Sequence, residues 1–285
     1  MPAQNLPGLM LNYAHPLSRG LVGWWPMNEG AGTRVADISG NGNHANTANV
    51  LQGSTSGWSG GFAGRSIMFD AVDDTLTAPH STSISNALLS TVGFSITGWM
   101  YFRTLANYAF LGFKGTGGGV PGPVQVYWEP SPGYWVFLIG GGGSHGGPGS
   151  AIGPHVVDRW YHIAAVRNGA TGYIYIDGKV SGTPAGGFGT PTDDGNAYCM
   201  FARTPSFYSP VGSMCHARLY NRALSAVEVA QLYADPLAGA LAPARARLYV
   251  PPTISPPAAI AAPPTADRLW NRGYVGRIFR RGEKG

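Results

Sequence analysis

Residues 160–182 read WYHIAAVRNGATGYIYIDGKVSG, and their pattern decides the fold class. Trp160 to Arg167 is an aromatic and apolar run, and Asn168-Gly169 interrupts it with the dipeptide that most readily supplies the positive-φ residues of a tight turn. Tyr173-Ile174-Tyr175-Ile176 follows. Side chains of a strand alternate between its two faces, so the two Tyr share one face and the two Ile the other. Asp177-Gly178 then turns the chain again. The stretch predicts consecutive antiparallel strands, and the rest of the chain is read outward from them.

Composition suits an all-β domain. Of 285 residues 44% are apolar, enough for a core, while 43 Gly and 23 Pro imply many turns and long loops rather than long helices. The charged share is only 12%. The net charge of +5 belongs to one end, because residues 236–285 hold eight Lys/Arg against two Asp/Glu and residues 1–235 are close to neutral. A nucleic-acid partner would have to rest on that tail alone and is disfavoured. The first twenty residues carry neither a basic stretch nor a long apolar one, and no run of 18 apolar residues occurs. The expectation is a chain with no signal peptide and no membrane partner.

Motifs on either side of the hairpin agree with it. Upstream stand GLVGWWPM at 20–27, NEGAGTRVADISGNGN at 28–43, RSIMFDAVDDTLTA at 65–78 and FSITGWMYF at 94–102; downstream stands LYNRALS at 219–225. Together with W-Y-H-I-A-A-V-R and Y-I-D-G-K, these resemble the ordered motifs of laminin-G-like jelly rolls in the concanavalin A-like superfamily. Residues 11–46, with HPLSRGLVGWWPMNEG, are especially similar to laminin-G-like proteins encoded among the structural genes of tailed bacteriophages. Ala71 stands where that family usually has Gly, which suggests that this turn needs no positive φ.

The fold expected is a two-sheet antiparallel β-sandwich jelly roll over residues 20–235, preceded by an irregular segment 1–19. Ser225-x-x-Glu228 forms a capping box that opens a short helix running to about Tyr233. Residues 236–285, with eight Pro, form an extended basic arm.

Candidate chemistry is sparse. Gly57-Trp58-Ser59-Gly60-Gly61 satisfies G-x-S-x-G but sits in a Gly/Ser-rich loop with no strand before it and no helix after it. No strand carries the alternate carboxylates of concanavalin A-like glycosidases, and Asp73-Asp74 and Asp193-Asp194, adjacent in sequence, suit turns. His155 and His162 do not suggest zinc. The Gly-rich tracts 115–123 and 140–149 lack the Lys and helix of a phosphate loop. The expectation is a non-enzymatic chain without a cofactor. Cys199 and Cys215 are expected as free thiols, although a turn between two predicted strands leaves a pairing open.

Binding is the more promising chemistry. Asp37, Asn41 and Asn43 offer oxygens to a weakly held structural calcium ion, the alternative being an Asx-rich turn. The family's late-strand carboxylates are replaced by Cys215 and His216, which weakens the calcium expectation that the resemblance carries. Trp58, Tyr127, Trp128, Tyr134 and Trp135 offer flat rings to a glycan. In the arm, Trp270, Tyr274 and Phe279 are candidate anchors and Arg272, Arg277, Arg280 and Arg281 candidate orienting charges for a capsid or other virion protein, or for a second copy of the chain. The phage resemblance implies a virion structural protein, made in the host cytoplasm, that decorates or reinforces a capsid or projects from it. The rival reading is a carbohydrate-binding module.

Overall fold

The computed structural model describes residues 8–50, 56–115, 123–131, 133–140, 149–150, 155–188, 190–201 and 210–241. In chain order its strands are β1 (Met10–Leu11), β2 (Leu21–Trp25), β3 (Arg34–Val35), β4 (Ala45–Ala48), β5 (Gly57–Gly61), β6 (Gly64–Asp70), β7 (Thr75–Ala78), β8 (Gly93–Phe102) and β9 (Ala109–Lys114). They continue as β10 (Val124–Glu129), β11 (Tyr134–Ile139), β12 (Gly149–Ser150), β13 (Arg159–Asn168), β14 (Thr171–Ile176), β15 (Lys179–Ala185), β16 (Tyr198–Phe201), β17 (Val211–Tyr220) and β18 (Ala240–Leu241). Helix α1 spans Thr82–Leu88 and α2 spans Ala226–Ala234.

Two eight-stranded antiparallel sheets form the sandwich. Sheet one runs β15-β14-β13-β8-β17-β6-β5 with β2 also on β17, and sheet two runs β12-β11-β10-β9-β16-β7-β4-β3. The main core lies between them, with Trp25, Phe69, Phe102, Trp135 and Ile174 among its buried members. This is the predicted jelly roll with its short helix.

The deciding stretch behaves as read. Ile174 enters the main core while Tyr175 is buried on the opposite face of sheet one, as period-2 alternation requires. Asp177 (φ 49) and Gly178 (φ 78) make the two-residue turn between β14 and β15, both in the left-handed region that such a turn needs. The preceding turn falls one residue later than expected, on Gly169-Ala170, because Asn168 still pairs with Thr171.

β17 carries two neighbours on one edge. Val211–Met214 pair with β6 and Ala217–Tyr220 pair with β2, and the change of partner coincides with His216 at φ 52 and a register shift against β8. A bulge of this kind re-aims side chains. Here the Cys215 Sγ and the His216 Nε2 both reach the Phe62 carbonyl, at 3.6 and 3.1 Å. Cys215 lies in sheet one and Cys199 in sheet two, and both are free thiols.

Several expectations need correction. Gly57–Gly61 is an edge strand paired with β6, not a loop; a second strand follows it rather than a helix, so the serine has no nucleophile elbow. The domain also exceeds 20–235. Met10–Leu11 pair with Ala240–Leu241, and Leu11, Leu17 and Ala238 are buried beside α2, because the outward face of sheet one needs that cover. The capping box is present as predicted, and Arg222 adds an ion pair of 2.7 Å to Glu228.

Ala71 is the sharpest correction. It sits at φ 69 in the turn from β6 to β7, so the positive φ is needed although the Gly usual in the family is absent. A Cβ in that region costs about 1–2 kcal/mol, and glycine's extra unfolded-state entropy returns about 0.4–1 kcal/mol of that gain on replacement. Ala71→Gly is therefore expected to raise the unfolding free energy by roughly 0.5–1 kcal/mol in urea titration; an unchanged or lower midpoint would contradict the strain.

Candidate functional site

The outward faces of the two sheets differ. On sheet one, α2, β1 and the segment around Leu17 bury a second apolar cluster that includes Trp24, Val166, Tyr175 and Leu232. The Arg218 guanidinium lies 3.7 Å from the Trp24 ring centre and donates to the carbonyls of Pro236 and Ala238, which closes this face further. On sheet two, Val124, Val126 and Trp128 of β10 and Trp135, Phe137 and Ile139 of β11 point into the core. Alternation leaves Gln125, Tyr127, Glu129 and Tyr134 on the outward face, all half-buried.

This outward face is aromatic on one side and polar on the other. Tyr127 packs against Phe110 and Tyr108 at ring-centre distances of 5.6 and 5.8 Å, and Phe110 meets Phe113 edge-on. Further across the sheet the outward positions are Cys199, Thr77 and Thr75, then the exposed Asn46. Glu129 and Tyr134 are direct cross-strand partners.

The glycan platform expected from sequence is divided by the fold. Tyr127 and Tyr134 share the outward face of sheet two, whereas Trp128 and Trp135 are buried in the core and offer no ring to a ligand. Trp58 lies in sheet one, packs against the core and donates through Nε1 to the Gly32 carbonyl at 3.0 Å. The correction was available from parity. Val124, Val126 and Trp128 occupy alternate positions of VQVYWE, so the apolar face claims Trp128, and the opposite parity picks out Gln125, Tyr127 and Glu129, two of which the sequence reading missed.

The calcium candidates lie in a densely hydrogen-bonded turn. Asp37 Oδ1 accepts from the amides of Trp24 and Ser39 at 2.9 and 2.8 Å, and Oδ2 accepts from the Asn43 amide at 2.9 Å with the Ser39 hydroxyl 2.8 Å away. Asn43 Oδ1 takes the Ser81 hydroxyl, and Asn41 Nδ2 donates to the Leu21 carbonyl. Both Asp37 oxygens and Asn43 Oδ1 are thus engaged by protein donors, the pattern of the Asx-rich alternative. No cluster of three His, Cys, Asp or Glu suited to a metal occurs among the described residues. The arm residues Trp270, Arg272, Tyr274, Arg277, Phe279, Arg280 and Arg281 lie outside the described residues.

Both acidic pairs sit in turns, as their adjacency suggests. The buried Lys114 ammonium lies 3.1 Å from both Asp193 and Asp194 and donates to the Asn196 carbonyl at 2.7 Å, so the pair clamps its loop to the end of β9. His80 Nε2 is 3.0 Å from Asp193 and 3.1 Å from the Ser85 hydroxyl. Both contacts use the same ring nitrogen, so this is no Ser-His-Asp relay, which needs one partner on each nitrogen.

A family model for the concanavalin A-like lectin/glucanases superfamily matches residues 70–230, more than half of the chain. No curated protein sequence matches. Among solved structures, Trypanosoma rangeli sialidase in complex with 2,3-difluorosialic acid, a covalent intermediate, aligns with a TM-score of 0.54 at 18% identity over 82% of this chain and 37% of that one. A further structure of Trypanosoma rangeli sialidase gives 0.52 at 18% identity, over 80% and 36%. The binding domain of Paraclostridial Mosquitocidal Protein 1 gives 0.53 at 14% identity, over 76% and 52%. The chain thus spans about a third of the sialidase and half of the toxin structure.

The expectation of a non-enzymatic chain is overturned by these neighbours. Chains of this shape include sialidases, so the lack of alternate carboxylates on one strand does not exclude hydrolysis. At such identities the likeness shows the fold and assigns no reaction.

Buried histidines give the domain a pH dependence. Trp135 Nε1 donates to His155 Nε2 at 2.8 Å, which keeps His155 neutral with its proton on Nδ1; burial, then Arg159, lowers its pKa to about 4. Burial followed by Arg218 lowers His162 and His216 to about 3. All three therefore stay neutral when folded while an unfolded chain protonates near pH 6.5, so stability present above pH 6.5 is lost as pH falls toward 4, by up to about 1.4 kcal/mol per group per pH unit. Asp74 runs the other way. Its burial, with Asp70 beside it, raises its pKa to about 7, and it favours the folded state as pH falls through 7. With three groups against one, melting temperature is expected to fall steadily from pH 7 to pH 4.5, and a flat or rising profile would contradict the neutral histidines.

Proposed function

The chain belongs to the concanavalin A-like lectin/glucanases superfamily, and on that premise we propose that it is a glycan-binding jelly-roll module whose ligand lies on the outward face of sheet two. One observation carries the reading: sheet one's outward face is largely taken by the chain's own helix and N-terminal segment, while sheet two's presents Tyr127 and Tyr134 beside amide, hydroxyl and carboxylate groups. A pyranose ring offers an apolar C–H face and a rim of hydroxyls. Tyrosine rings suit the first and Gln125, Glu129, Thr75 and Thr77 the second. The sialidase neighbour that holds 2,3-difluorosialic acid supports a sugar as the ligand class.

Binding to an immobilised glycan panel tests this. Wild-type chain is expected to bind at least one glycan class, and Tyr127→Ala and Tyr134→Ala each to weaken it by about 1–2 kcal/mol, roughly tenfold, at unchanged melting temperature. Binding that survives both substitutions would move the ligand off this face.

A second reading is compatible with the first. The similarity of residues 11–46 to laminin-G-like proteins of tailed phages favours a virion structural protein that decorates, reinforces or projects from a particle, with residues 244–285 as its attachment to a capsid protein, another virion protein or a second copy. Removal of residues 244–285 spares Ala238, Ala240 and Leu241, which belong to the folded domain. The truncated chain is expected to keep its melting temperature and lose incorporation into particles; normal incorporation would refute the attachment role.

A further inference from the structure

We propose that Glu129 selects the ligand, restricting this face to neutral glycans with adjacent hydroxyls and rejecting acidic sugars. The inference rests on the glycan-binding reading and deepens it. Glu129 is at the end of β10, half-buried, and its side chain points outward because Trp128 next to it is held in the core, with Nε1 donating to the Leu105 carbonyl at 3.2 Å. Its carboxylate has no hydrogen bond or ion pair among the described residues, and neither do the side chains of Gln125 on the same strand and face or of Tyr134 directly opposite. Other half-buried carboxylates of the molecule are engaged: Glu228 with Arg222, Asp194 with Lys114, Asp177 with Arg159. Glu129 thus stands as an uncommitted, acceptor-only group beside an aromatic ring.

The chemistry follows from that inventory. A carboxylate accepts two hydrogen bonds side by side, which matches two neighbouring sugar hydroxyls, and bonds to a charged acceptor are about twice as strong as neutral ones. The same negative charge meets the carboxylate of a uronic or sialic acid with repulsion across a partly desolvated face. One residue therefore supplies both the attractive element and the repulsive one that discrimination needs. Gln125, four residues back along β10 on the same face, provides a donor and an acceptor for a hydroxyl further along the ligand.

The test compares neutral and sialylated glycans on the full chain, with Tyr134→Ala marking binding at this face. Wild type is expected to bind a neutral glycan at least tenfold more tightly than its sialylated counterpart. Glu129→Gln, of the same shape, should weaken the neutral glycan about tenfold and narrow the preference, and Glu129→Lys should reverse it, both at unchanged melting temperature. Tyr134-dependent binding in which sialylated glycans do as well as neutral ones, or in which Glu129→Gln changes nothing, overturns the role of Glu129 and leaves the glycan reading standing. Failure of wild type to bind any glycan overturns both.

Discussion

The Asp37 carboxylate is the interaction on which the sandwich is hung. β2 pairs with β17 along one edge only, and its other edge would leave backbone groups buried without partners, at a cost of about 1–3 kcal/mol each. The turn 37–43 acts as a substitute strand for that edge. Asp37 accepts from the Trp24 amide, Ile38 donates to the Trp24 carbonyl, and Asn43 donates to the Val22 carbonyl. Because β2 is held on both edges, its consecutive tryptophans are fixed on opposite faces: Trp25 in the main core, Trp24 under α2 and Arg218. Gly23 completes the arrangement, since a Cβ there would lie 2.3 Å from the Trp25 ring.

From this constraint follows the asymmetry between the two sheets. Trp24 anchors the second cluster, and that cluster draws the N-terminal segment and α2 over sheet one. Sheet two receives no comparable cover from the described helices, and its outward face carries the half-buried Gln125, Tyr127, Glu129 and Tyr134. Glycan binding is therefore proposed less on any one motif than on which of two similar surfaces the chain spends on its own packing.

Polar groups within the domain are used structurally. Lys114 and its two aspartates, His155 beneath Trp135, and the Phe62 carbonyl shared by Cys215 and His216 each fix a loop or turn against a sheet. The three buried histidines carry shifted titration because they are buried, not because they are poised for chemistry; desolvation is the largest cause for each. A perturbed group therefore points to the site only when it also faces solvent or ligand.

The sequence by itself determined the sandwich, its central hairpin and the capped helix, because alternation, turn dipeptides and S-x-x-E act within a few residues of chain. It also determined that Asp37, Asn41 and Asn43 belong together, though not that all three side chains would hydrogen-bond the backbone of β2. Tertiary structure decided the rest. Whether Trp135 is core or platform depends on how its strand, YWVFLI, apolar at both parities, sits in a sheet assembled from distant segments, and Ala71 is held at positive φ by the strands on either side of it. Cys199 and Cys215, close enough in sequence to suggest neighbours, lie in different sheets because consecutive strands of a jelly roll cross between its layers. Burial and edge pairing depend on partners far along the chain, and local pattern cannot name those partners.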